Sequence, residues 1–315
     1  MSFSTKSTDW CSQRMYSSVI GLAACRLPRY VIAEAGQQLT SAPFQLYNTR
    51  SIITALVINI QLHNQITSAF RTQLHVYYIP RTTMSQFKVA IYIYKDADLL
   101  DFSGPAEIYC HHHDMDGSKP APFSVTSFAH TSPVTSASSA MVYVPNTTFA
   151  DVSNRIEDYD ILVIPGAHDE TIKRFISSKD GKELGELIRK FVTLKPRKET
   201  GKRFLQSVCT GGLILAASGV LAGRIVTTHH LSLDLQKKLA DEAAGGDSKV
   251  TVVRQRWSDA GTTDAGVRII TAGGVSSGID TSLWIVGQCH GQKAAEMVSE
   301  ISEFELRSTA WGTAL

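Results

Sequence analysis

Residues 204–223, FLQSVCTGGLILAASGVLAG, decide the fold. Phe204–Val208 reads as an apolar strand that stops at Cys209, and a helix over Gly211–Leu221 starts within the next residue or two. A sharp strand-to-helix turn lifts its central side chain above the sheet and aims the first unpaired helix N–H groups at it, which is how a nucleophile is presented. The partial positive charge of a helix N-terminus favours a thiolate and lowers a thiol pKa. Free cysteine is also among the most buried residue types, so spacing alone leaves inert packing open for Cys209.

Outward from this turn, short β-branched runs alternate with helical patterns, which is the signature of βα units around a largely parallel sheet. The strands expected are Val89–Tyr94, Phe123–Phe128, Ile161–Ile164, Phe204–Val208, Ile225–Thr228, Val250–Val253 and Val267–Thr271. Helices are expected over Gly104–His113, Gly181–Lys195, Gly211–Leu221, Leu233–Ala243, Ile279–Cys289 and Gln292–Leu306. Residues 257–270, WSDAGTTDAGVRII, carry turn residues between two strand-like stretches and read as a hairpin. There is no internal repeat. One α/β domain over residues 84–307 is expected, with an N-terminal extension, 1–83, and a tail, 308–315.

Two further segments end where a parallel sheet places its ligand crevice, past the strand C-termini. They are residues 94–105, YKDADLLDFSGP, with Asp101, and residues 162–170, LVIPGAHDE, with Gly166 and Ala167. A carboxyl group buried near a thiolate tends to keep its proton and can act as a general acid. Asp101 fits that role, and it fits equally the capping of the helix that follows, as does Ser103. Consecutive His111, His112 and His113, with Asp114 and Asp116, point about 100° apart on a helix and read as a solvated helix end rather than a metal site. His229 and His230 close a strand, where one of them could approach the thiol or simply be polar surface. Cys110 and Cys289 sit beside apolar residues in helical patterns and read as packing.

The chain has 315 residues, 43% hydrophobic and 19% charged, enough for a buried core. Charge divides it. Residues 1–83 hold 7 Lys/Arg against 2 Asp/Glu, and the remainder 24 against 27. A mildly acidic body argues against nucleic acid or an anionic membrane as the main partner. Five cysteines (Cys11, Cys25, Cys110, Cys209, Cys289) without CxxC spacing suggest neither a disulfide framework nor a zinc ribbon. The longest apolar run, Ile52–Ile60, is about half a membrane span. A cytoplasmic address is expected, with a mitochondrial one if the Arg- and Ser-bearing leader acts as a presequence.

Residues 207–230 (SVCTGGLILAASGVLAGRIVTTHH), with DLLDFSGPAEIY, DILVIPGA and ITAGGVSSGID, resemble the ThiJ/PfpI superfamily, also called the DJ-one family, in the branch containing isonitrile hydratase. The four motifs occur in the family's order and cover about residues 87–305. The resemblance implies a flavodoxin-like three-layer α/β sandwich of the class I glutamine amidotransferase-like type, commonly homodimeric, acting on a small molecule without metal or organic cofactor. It implies Cys209 as elbow nucleophile, Asp101 as its acidic partner and Thr210 as a catalytic residue beside the thiol. Gly166 and Ala167 fall where relatives carry a Gly-Gly pair contributing to an oxyanion hole, with Gly211 at the helix start and His229 near the cysteine. Ala167 keeps an N–H, so that role survives unless the turn needs φ > 0 there. Where the hydratase branch commonly has Trp after Thr-Thr-His, this chain has His230. The implied activity is hydration of a small isonitrile to an N-substituted formamide. The alternatives are a glyoxalase III or deglycase-type conversion of methylglyoxal-like oxoaldehydes, or a noncatalytic cysteine redox sensor.

Overall fold

The computed structural model describes residues 86–111 and 121–305. The leader, the tail and His112, His113, Asp114 and Asp116 lie outside the described residues. The described chain runs β1 (Phe87–Tyr92), α1 (Leu99–Cys110), β2 (Phe123–Ala129), β3 (Val134–Thr135), β4 (Val142–Tyr143), β5 (Thr147–Thr148), α2 (Phe149–Asn154), β6 (Ile161–Ile164), α3 (Asp169–Ser177), α4 (Lys179–Val192) and β7 (Arg203–Ser207). It continues through α5 (Gly211–Ala217), β8 (Ile225–Val226), α6 (Leu233–Ala244), β9 (Thr251–Val252), β10 (Trp257–Thr262), β11 (Val267–Ala272), α7 (Ser277–His290) and α8 (Gln292–Ile301).

Seven strands form the main sheet in the order β10-β11-β7-β6-β1-β2-β5, parallel throughout except for the antiparallel β10–β11 pair. The expected hairpin is that pair, with Trp257 opposite Ala272. Parallel strands are covered on both faces, so their sequences are near-continuous apolar runs rather than alternating ones. β6, Ile-Leu-Val-Ile, is buried at all four positions. Helix α1 packs on α7 and α7 on α8, while α3, α4, α5 and α6 pack in series, giving a layered α/β architecture. In α4, Ser178 Oγ accepts from Gly181 N at 3.1 Å to cap the helix, and Leu184, Leu187, Ile188 and Phe191 turn one apolar stripe inward.

The chain leaves β1 for β2 on one side and returns to β6 on the other. Its topological switch point therefore lies at β1, and the crevice beyond the strand C-termini opens there. Segments following β1, β6 and β7 converge on that crevice.

Several boundaries differ from expectation. α1 begins at Leu99, five residues before Gly104, so Asp101 lies within its first turn. α3 was not expected: its sequence, DETIKRFIS, is short, mostly polar and directly precedes α4. β8 and β9 pair with each other in a separate two-stranded ladder rather than joining the main sheet. β3, β4, β5 and α2, in the Ser- and Thr-rich stretch after β2, were also unforeseen. Cys110 is exposed at the end of α1, which overturns its packing assignment, and Cys289 is half-buried. None of the helices among the described residues is long and apolar enough to cross a membrane.

Candidate active site

Cys209 follows β7 after Val208, and its backbone sits at φ 54°, the left-handed region an L-residue enters only under constraint. Its N–H donates to Gly273 O at 2.9 Å, while its carbonyl accepts from Thr228 Oγ1 at 2.8 Å and Gly212 N at 3.3 Å. Those bonds hold the strained turn from three sides. Gly211 lets α5 start against β6, because a Cβ there would lie 2.2 Å from Ile164 O. Cys209 is 3% exposed.

Asp101 faces it from α1. The carboxyl is fully buried, and Oδ2 accepts from Gly166 N at 2.9 Å, a bond across 65 residues. That long-range bond excludes the capping assignment for Asp101. The N-cap position belongs to Asp98, whose side chain makes no cap bond, and Ser103 Oγ donates to Leu99 O. Asp101 Oδ1 has no hydrogen-bond partner. Burial raises the Asp101 pKa to about 8, and the nearby Asp98 carboxyl adds to the rise, against the pull of the Gly166 N–H and of the Cys209 thiol. Oδ1 is the oxygen that the Gly166 N–H leaves open to carry a proton. One carboxyl oxygen each of Asp98 and Asp101 and the Cys209 sulfur all lie within 4.8 Å of one another.

The thiol does not show the lowered pKa expected at a helix start. Burial pushes it up to about 12, and the carboxyls of Asp101 and Asp98 act in the same direction. The N–H groups of Val275 and Thr210 point at the sulfur and oppose the rise, without overcoming it. Both shifts favour the protonated forms of thiol and acid in the resting site.

The amides expected to form an oxyanion hole are already engaged. Gly166 N–H serves Asp101, Ala167 N donates to Thr210 Oγ1 at 2.8 Å, and Gly211 N donates to Val208 O at 2.9 Å. Thr210 Oγ1 also donates to the Ala167 carbonyl, so its hydroxyl clamps the 166–167 turn. Neither residue of that turn has positive φ, and Ala167 sits there without strain. Gly166 does not tolerate a side chain: a Cβ would lie 2.5 Å from Thr210 Oγ1 and 2.6 Å from Thr210 N. The donors turned toward the sulfur are instead the backbone N–H groups of Thr210 and Val275.

His229 lies at the rim, its Cδ2 3.2 Å from where a Cβ on Gly274 would sit, with the His230 ring 4.5 Å away. Burial lowers the His229 pKa, and His230 lowers it further against the carboxylates of Asp169 and Asp98. Among the described residues no hydrogen bond joins it to Cys209. His111 ends α1 and pairs with Glu107 at 3.4 Å. Asp98 and Val275 were not singled out in the sequence. The i, i+3 spacing of Asp98 and Asp101 was the available signal for the first, and a backbone donor such as Val275 leaves none. A surface cleft of about 210 Å³ lined by Ile176, Lys182, Ile214 and Ala217 contains none of these groups.

A doubly wound sheet with a cysteine on a strained strand-to-helix elbow, facing a buried neutral carboxyl at the switch point, defines a class of α/β protein built around one thiol. The chain belongs to the DJ-1/PfpI family, whose model matches residues 87–286. It is 30% identical over 168 residues to isonitrile hydratase of Pseudomonas putida, a stretch covering 53% of this chain and 59% of that relative's length. In structure it is similar to a ThiJ/PfpI family protein from Pseudomonas syringae, with a TM-score of 0.52, 22% identity and coverage of 78% of this chain and 85% of the other. It is also similar to Drosophila melanogaster DJ-1beta, with a TM-score of 0.50, 17% identity and coverage of 70% and 99%. At these identities the two structures speak for the fold alone.

Proposed function

We propose that the chain is a cysteine-dependent hydro-lyase that hydrates a small isonitrile to an N-substituted formamide. The observation that carries this reading is the Asp101–Cys209 pair: a proton-bearing acid with one oxygen free, beside a thiol that also holds its proton. The terminal carbon of R–N≡C accepts both a proton and a nucleophile, which suits such a pair. Asp101 gives its proton to that carbon and takes the thiol proton in exchange while sulfur bonds to the same carbon, leaving R–N=CH–S–Cys209. Water then adds to the thioimidate carbon, nitrogen gains a proton, and the C–S bond breaks to return the thiol and R–NH–CHO. The Thr210 and Val275 N–H groups stabilise negative charge growing on sulfur during attack and release. A P. putida relative that carries this activity, over part of its length, supports the reading. The raised thiol pKa weighs against a readily oxidised redox sensor, since oxidation follows thiolate character.

The test supplies the full chain with cyclohexyl isocyanide and, separately, methylglyoxal. Formamide formation that falls to background in Cys209→Ser is expected. Lactate from methylglyoxal with no formamide would replace this reading with the oxoaldehyde one, and neither product would overturn both.

A further inference from the structure

We propose that His130, Asp180 and Glu183 form a binding site for a divalent transition-metal ion of the zinc, cobalt or nickel class, tying the end of β2 to the first two turns of α4. One ligating atom from each of the three lies within 4.8 Å of the other two, and His130 Nε2 is 3.2 Å from Glu183 Oε2. Asp180 and Glu183 are three residues apart on α4 and share a face. A helix N-terminus favours acidic residues by itself, which accounts for the carboxylates but not for an imidazole brought to them from another element.

That imidazole is held in place. Its ring stacks on Phe149 with centroids 3.8 Å apart and planes 18° apart, and Nδ1 is 2.8 Å from the hydroxyl of the buried Tyr92. Because a carboxylate only accepts, Nε2–H donates to Glu183 Oε2 and Nδ1 accepts from the Tyr92 hydroxyl; an ion would displace the Nε2 proton, and the other tautomer would then donate from Nδ1 to Tyr92. Metal-ligating histidines carry this arrangement, one ring nitrogen on the ion and the other fixed by an outer oxygen. Burial lowers the His130 pKa against the pull of Asp180 and Glu183. Lys179, 3.6 Å from Glu183 Oε1, is 85% exposed and free to swing away. One imidazole and two carboxylates suit a borderline ion with remaining positions held by water, and the imidazole disfavours calcium or magnesium.

The experiment uses the full chain carrying Cys209→Ser, so that the thiol supplies no ligand, stripped with a chelator and titrated with Co²⁺ while visible absorption and Tm are followed. One equivalent should bind, without a thiolate-to-cobalt charge-transfer band and with Tm rising as cobalt is added. Glu183→Gln, which alters one half-exposed side chain, and Tyr92→Phe, which removes only the outer oxygen, should each weaken binding at least about tenfold. Absence of binding at millimolar Co²⁺ would overturn the site. Affinity unchanged in Glu183→Gln would also overturn it, by placing the ion elsewhere on the chain.

Discussion

A backbone φ of 54° at a residue with a Cβ costs on the order of 1–3 kcal/mol, so the surroundings of Cys209 must over-determine it, as its three backbone bonds do. Its acid partner stores free energy in a second form. Asp101 moves from an ordinary 3.8 to about 8 on folding, so between those values the folded chain binds a proton that the unfolded chain releases. Stability from this group is present at low pH and is lost as pH rises through that window. Asp101→Asn does not titrate. The Tm of the variant minus that of the unaltered chain should therefore grow more positive with rising pH up to about 8 and then level off. A difference independent of pH would refute the buried neutral acid. The same variant should lose about 10²–10⁴-fold in formamide turnover, measured at saturating isonitrile. At this scale the elbow was legible because an apolar strand ending in Cys-Thr-Gly-Gly has few other uses. The amides of Gly166 and Ala167 were not, because which acceptor an N–H meets depends on Asp101 and Thr210 arriving from distant segments.

Elements with one continuous apolar run or one clear stripe were readable: β6 falls where the sequence put it, and α6 ends one residue later, at Ala244, capped by Gly245 with φ 67°. Those whose reason lies in tertiary contact were not. α1 contains Pro105 and a Gly-Pro pair that read as its start, yet Asp98 occupies the cap and Asp101 is drawn inside by Gly166. α5 exposes the constraint most sharply, since it runs against the carbonyl of Ile164. Gly211→Ala sets a methyl into that backbone, where no side chain can yield, and helix propensity pulls the other way by about 1 kcal/mol. The clash should prevail, costing about 1–3 kcal/mol or more in chemical denaturation. An alanine variant as stable as the original would show that α5 can slide off β6.

The whole molecule separates chemistry from anchorage at the two ends of its strands. Its sheet class was legible from alternating strand and helix patterns, but the strand order was not, because sequence periodicity names no neighbours. A chain beginning at Met84 is expected to stay soluble and to form formamide at the full-length rate, and loss of either would assign the leader to the body. At the opposite end from Cys209, fully buried Asp160 precedes β6 and collects donors from around it. Arg197 Nε and Nη2 donate to it at 2.9 and 2.7 Å, Thr200 Oγ1 at 2.7 Å and Lys88 N at 2.8 Å. Its backbone also joins the neighbouring strands, donating to Lys88 O and accepting from Phe204 N. Asp160→Ala leaves the Arg197 guanidinium, 18% exposed, with the Gln86 carbonyl as acceptor but no carboxylate, and loss of one partner of a buried pair costs about 3–5 kcal/mol. None of these atoms approaches the thiol. Denaturation should therefore come at markedly lower urea, while kcat and KM for the isonitrile, measured well below the new melting point, stay near those of the unaltered chain. A kcat that falls with stability would mean that the far end of the sheet sets the elbow geometry, and the separation of anchorage from chemistry would not hold.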